Sequence, residues 1–319
     1  MKTIIGISNF SFDTFHFSSF SDLENQFAKF QLLKADYNQD KVSIAVANDI
    51  TKDKWFGLSI DEQLQNFEFG KDKGVITYLA LRLDRTHLVG FNRSFTSVDL
   101  KNKAQSEPCI VEKENTILYA PNVLIGGYAN FKDKISFDKH YEYILGHFPI
   151  DNKSYYHRAK SHFTNLIYHV DCESTLDKVP DGFVNYSIAI TKCLKALNEH
   201  NPTQSLSLVG RLSEIRSSAS YNCTPQGGSH KHFKFAFNYK GTQYPNLDCQ
   251  FHLKPSDKNI KGDGSHNHKR VYFGFIPINS IEWKIAVAAI GPHITIHDSS
   301  DRYAPEKIRR KKKRRKGNS

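Results

Sequence analysis

The stretch HFKFAFNYKGTQYPNLDCQFHLK, residues 232–254, constrains the fold more than any other part of the chain. Phe233, Phe235 and Phe237 alternate with other residues, and Phe251 and Leu253 repeat the pattern after a gap. In a strand, residues two apart share a face, so each run predicts a strand with one apolar side. Lys240-Gly241 between them predicts the turn of a hairpin. KRVYFGFIPI and EWKIAVAAIGPHITIH follow as two more strands, separated from the hairpin by the polar, glycine-rich loop PSDKNIKGDGSHNHK. This part of the chain therefore reads as a mostly antiparallel sheet.

Upstream the period changes. DGFVNYSIAITKCLKALNEHNP, 181–202, places Phe183, Ile190, Leu194 and Leu197 on one helical face, widened by Val184 and Ile188. Asn201-Pro202 ends that helix, because proline cannot continue it. DKHYEYILGHF and SYYHRAKSHFTNLIYHV also show helical spacing, and 203–222 offers a further helix. Nearer the N-terminus, KVSIAVAND and the β-branched run GVITYLALRLDRTHLVGF, 74–91, read as strands. NTILYAPNVLIGGYANF reads as two short strands broken at Pro121, with Gly126-Gly127 turning the chain. Ser59 and Glu62 have capping-box spacing at the start of a short helix. The expected class is α+β. It comprises a mixed strand and helix region over 1–200, a C-terminal sheet domain over 203–300 and a disordered basic tail over 301–319.

The tail dominates the charge. KIRRKKKRRK, 307–316, carries Arg309, Arg310, Lys311, Lys312, Lys313, Arg314, Arg315 and Lys316 after Lys307, with no acid among them. Removing these nine cations from the formal +11 leaves +2 for the remainder of the chain. Such a run repels itself and is often an interaction arm for nucleic acid, an acidic protein face or an anionic membrane, with a solubilising tail as the plain alternative; DNA or RNA is the partner expected here. The five cysteines, Cys109, Cys172, Cys193, Cys223 and Cys249, are widely spaced and odd in number. That argues against a disulfide framework and a zinc ribbon, and it fits reduced thiols in a cytosolic or nuclear compartment, with the cytoplasm expected. The N-terminus lacks the apolar length of a signal peptide, and no segment has the length of a membrane span. No membrane partner is expected. The first 200 residues leave room for a protein partner.

The site candidates cluster late in the chain. His252 and Lys254 share one strand face, opposite Phe251 and Leu253, and Lys234 lies between the phenylalanines of the preceding strand. Lysine supplies charge for a phosphodiester and histidine moves a proton near neutral pH. Arg270 and His293 join from neighbouring strands, and Lys269 stands beside Arg270. The competing reading is a solvated polar face of a half-buried sheet. His230-Lys-His232 and His266-Asn-His268, with Asp248 and Asp263, suit a transition metal, but their spacing fixes no third ligand. A restriction-type nuclease would use Glu214 and Asp248 as magnesium ligands beside Lys254, with His252 standing where a second carboxylate belongs. His162-x-Thr164 and His293-x-Thr295 form a weak two-histidine phosphoesterase pattern, and Gly126-Gly127 lacks the rest of a phosphate loop.

From 248 to 295, the series FHLKP, KRVYFGF, KIAVAAIGPH resembles the C-terminal strands of RelE/ParE-type toxin domains. The resemblance covers about a sixth of the chain. It departs in its long histidine-rich loop and in the size of the whole. It implies metal-free contact with RNA, and its cleavage, by basic residues on this sheet, with Lys254, Arg270 and His293 at the matching positions. The expectation is a nucleic-acid-acting protein, a nuclease of toxin or antiviral defence character that needs no cofactor. The alternatives are a binding or assembly protein without catalysis, and a degenerate magnesium-dependent restriction-type enzyme.

Overall fold

The computed structural model describes residues 1–54, 57–67, 69–105, 113–179, 181–202, 207–226, 231–255, 269–279, 282–295 and 300–304. The fold is α+β. The chain divides into two compact units, Met1–His162 and Phe163–Ser319. The boundary expected near residue 200 lies inside the second unit. The helix that suggested it packs with the C-terminal sheet rather than closing the first unit.

The first unit is built on a parallel sheet in the order β2-β1-β3-β4. Its strands are β1 (Lys2–Ile7), β2 (Val42–Val46), β3 (Glu114–Tyr119) and the short β4 (Asn130–Phe131). β1 is central, with Ile5 level with Ile44 on one side and Ile117 on the other. Parallel neighbours need crossovers, and helices supply them. α1 (Phe20–Asp36) joins β1 to β2. α2 (Ile60–Gln65), α3 (Lys73–His87) and α4 (Ser97–Lys103) lie between β2 and β3. α5 (Lys134–His147) and α6 (Asn152–His162) close the unit. Its core is rich in aromatics: Phe12 packs on Phe17, Phe27 and Phe30, and Phe137 on Tyr37 and Phe131.

The run 74–91, expected as strand, is helix α3 as far as His87. Asp72 caps it by accepting from the Gly74 and Val75 amides, and Ile76, Leu79 and Leu83 bury one stripe while Tyr78 and Leu81 stay exposed. Helical spacing and a capped start outweighed β-branched composition. The helix expected at 59–67 is α2, and Ser59 and Glu62 form its capping box. The helical spacing seen through 154–170 ends at His162, and Leu166–Tyr168 is a strand.

The second unit holds a five-stranded sheet in the order β5-β11-β10-β9-β6 and a separate hairpin, β7-β8. The sheet strands are β5 (Leu166–Tyr168), β6 (Cys223–Pro225), β9 (Phe251–Leu253), β10 (Lys269–Pro277) and β11 (Trp283–Pro292). Only the β5–β11 pairing is parallel. α7 (Asp171–Leu176), α8 (Ser187–Glu199) and α9 (Leu208–Ala219) complete the unit. The hairpin β7 (Lys234–Tyr239) and β8 (Thr242–Asp248) turns through Lys240 and Gly241, both at positive φ, where the sequence predicts the turn, but Phe251–Leu253, expected to return along it, is β9 of the larger sheet. Phe233 just before β7, with Phe235 and Phe237 on it, buries against Tyr272 and Ile276 of β10 and Ala286 and Ala288 of β11. Thus the hairpin covers one face of the larger sheet.

Candidate nucleic-acid-binding face

Strand register determines which side chains of the second unit meet. Thr224, His252 and Tyr272 are directly level across β6, β9 and β10, so they share a face, the one the β7–β8 hairpin covers at Tyr272. Arg270 lies two residues from Tyr272, and Lys254 two residues from His252, which carries both to that face at its end. Arg270 is level with Gly291 of β11, and His293 follows two residues later. The Ile294 amide donates to the Tyr272 hydroxyl at 3.2 Å, fastening the chain beside His293 to the same face. His252, Lys254, Arg270 and His293 therefore come together, and the other three all act electrostatically on the His252 ring. Lys254, Arg270 and His293 are half-buried.

His252 itself is 3% exposed and packs against the Tyr272 ring, with centroids 5.3 Å apart. Its Nδ1 lies 3.4 Å from the Gln250 carbonyl, so Nδ1 carries the hydrogen and Nε2 accepts from the Thr224 hydroxyl at 3.3 Å. Burial, followed by the positive charge of Arg270, pushes its pKa down to about 3. Such an imidazole is neutral at physiological pH and a weak base. The role of proton carrier expected for His252 does not suit this environment, whereas a fixed acceptor does.

Other expected members are placed elsewhere. Lys269 is 1% exposed, lying 4.2 Å from the Tyr186 ring centroid and 3.9 Å from Asp181, so it is an interior cation rather than a contact for nucleic acid. Alternation explains this: beside Arg270 on the strand, it points to the opposite face. Lys234 sits on the hairpin side opposite Phe235 and Phe237 and pairs with Asp248 at 3.1 Å. The two acids considered for magnesium have separate partners, Asp248 with Lys234 and Glu214 with His200 at 3.5 Å. Among the described residues no group of three His, Cys, Asp or Glu is placed to hold a metal ion. His232 is buried in the 3-10 turn before β7. The remaining histidines of the two H-x-H pairs, Asp263, and the tail residues 309–316 lie outside the described residues.

The two halves of the phosphoesterase pattern fall in different units, and His162 is engaged in its own, 3.3 Å from Glu142 and against the Tyr141 ring. Gly126-Gly127 is a turn, with Gly127 at φ 83°. The sequence reading missed Thr224 and Tyr272, which orient His252. Their signal was positional: each lies level with His252, and that register is invisible until the strands are paired. Among the described residues no helix is long and apolar enough to cross a membrane.

No family model matches this chain, and no curated protein or solved structure matches it significantly.

Proposed function

We propose that the second unit engages the phosphate backbone of nucleic acid and acts on it as a nuclease of toxin or defence type. The observation that carries this reading is the gathering of half-buried Lys254, Arg270 and His293 beside the buried Thr224–His252 pair, at the end of the sheet face whose middle the hairpin covers. Lys254 supplies a point charge and Arg270 a planar fork for phosphate oxygens. His293, half-buried rather than enclosed, is the group that transfers a proton. His252 stays neutral and holds its neighbours in place. The arm at 307–316 adds affinity without sequence preference. The adjacent antiparallel strands β9, β10 and β11 carry the segments that resemble RelE-type domains, which supports a reaction without metal.

A second reading, binding without cleavage, is favoured by the low basicity of His252, which removes it as a proton carrier near neutral pH. Incubation of the protein with labelled DNA and RNA at low salt, with and without EDTA, separates these readings. Cleavage that survives EDTA supports the metal-free nuclease, and cleavage lost in EDTA supports the restriction-type alternative. Binding without cleavage supports the second reading. Neither binding nor cleavage ends both.

A further inference from the structure

In parallel sheets flanked by helices, ligands bind outside the carboxyl ends of the strands, at the point where strand order reverses. In the first unit that point lies between β1 and β3. The chain itself fills it. A 3-10 turn over Asn9–Ser11 occupies the crevice, the Ser11 hydroxyl donates to the Tyr119 carbonyl at 2.6 Å, and the Asn122 amide donates to the Phe12 carbonyl at 3.4 Å. The open space lies one strand over, past the carboxyl end of β2. There a cleft of about 610 Å³ runs between the segment 48–52 and helix α3. That volume falls within the range of small-molecule sites, roughly 300–1,000 Å³.

The walls of this cleft differ in chemistry. Ile76, Ala80 and Leu83 of α3 form an apolar side. Asn48, Thr51 and Thr77 place polar groups along it. Of the charged residues, Arg93 is bound to Asp84 and donates to the Asn48 carbonyl at 3.2 Å. Lys52 and Lys73 are exposed and face a single remaining acid, Asp61, whose carboxyl burial pushes up from its ordinary pKa. The cleft therefore favours an anion that also has an apolar body carrying polar groups.

The segment 48–53 is braced from behind. Asp49 accepts from both the amide and the hydroxyl of Ser97 at 2.7 Å. Asp53 accepts from the Ser8 hydroxyl at 3.0 Å and from Lys101 at 3.4 Å. A wall held this way loses little freedom when a ligand binds.

We propose that this cleft binds a nucleoside monophosphate, with its ring against Ile76, Ala80 and Leu83 and its phosphate toward Lys52 and Lys73. The site belongs to the first unit and stands apart from any action of the second on nucleic acid. Calorimetric titration of the full chain with AMP, GMP, CMP and UMP, with their nucleosides and with inorganic phosphate tests it. At least one monophosphate is expected to bind at least about tenfold more tightly than both its nucleoside and phosphate, a margin of about 1.4 kcal/mol. Ala80→Trp, which fills the apolar side, and the pair Lys52→Glu with Lys73→Glu, at exposed positions, should each weaken it at least about tenfold. The charge pair keeps the test decisive if the tryptophan variant does not fold. Binding of none of the four, equal binding of phosphate alone, or affinity unchanged in the charge variant overturns the proposal.

Discussion

At the scale of single residues, the environments of two histidines determine how the protein responds to acid. Burial pushes His140 down to about 4 and His252 to about 3, from an ordinary value of 6.5. Below pH 6.5 the unfolded chain takes up protons that the folded chain refuses until these lower values. The stability these sites contribute is therefore complete above about pH 6.5 and declines as pH falls from there toward 4. Urea melts between pH 7.5 and 4.5 should show this decline, and His252→Gln should make it shallower. His252→Ala should cost about 2–3 kcal/mol, since it opens a cavity beside Tyr272 and strips Thr224 of its acceptor. A pH–rate profile should owe no limb between pH 6 and 7 to His252, so His252→Gln should leave the shape of that profile unchanged. The four described thiols give a second residue-level expectation. Cys172, Cys193, Cys223 and Cys249 are buried, and burial raises Cys223 to about 12 and pushes Cys193 and Cys249 up as well. A thiol reagent should label none of them in the native protein and all of them after denaturation. The grouping of Lys254 with His252 was legible from period two alone. The interior fate of Lys269 was not, because alternation tells which residues share a face but not which face is covered.

At the scale of elements, the short helix α2 and the packing of β11 make contrasting predictions. The Ser59 hydroxyl accepts from the Glu62 amide at 3.1 Å, and the Glu62 carboxylate accepts from the Ser59 amide at 2.9 Å. Ser59→Ala should cost about 1 kcal/mol in thermal or urea melts. Gly291 is less forgiving, because the Thr175 carbonyl oxygen of α7 occupies the space where a Cβ would stand. Gly291→Ala must separate α7 from β11 and should cost about 3 kcal/mol, at the upper end for overpacking. Gly274, held against the Asp248 backbone, should behave similarly. The capping box was readable because it is a local motif four residues long. The close approaches at Gly274 and Gly291 join residues 26 and 116 positions apart, so only the folded chain reveals them. Helix α3 was misread for a related reason. Val75, Ile76, Thr77 and Tyr78 favour strands by composition, yet the Asp72 cap and the stripe of Ile76, Leu79 and Leu83 carried the contrary signal.

At the scale of the whole molecule, each unit has its own core. The residues of the main cluster in the first unit run from Ile4 to Tyr141, all within Met1–His162. A chain of residues 1–162 should therefore fold by itself, with one cooperative thermal transition and native-like circular dichroism. The same chain should retain the nucleotide affinity proposed for the β2 cleft and lack affinity for nucleic acid. The α+β class was legible because both periodicities occur in long runs. The boundary was not, since helices α7 to α9 follow without a break in composition and join the sheet through contacts far along the chain, with β11 and β6 among them. The central claim concerns the face that carries Lys254, Arg270 and His293, and it is tested most directly without the basic arm. Fluorescence anisotropy of labelled single-stranded RNA and DNA should be measured at low salt on a chain ending at Ala304, alone and with Lys254→Glu and Arg270→Glu. The truncated chain should still bind, with a salt dependence shallower than that of the full chain, and the two charge reversals should abolish binding while leaving the thermal transition in place. Loss of all binding on removal of the arm, or binding indifferent to the two reversals, would contradict the assignment of this face.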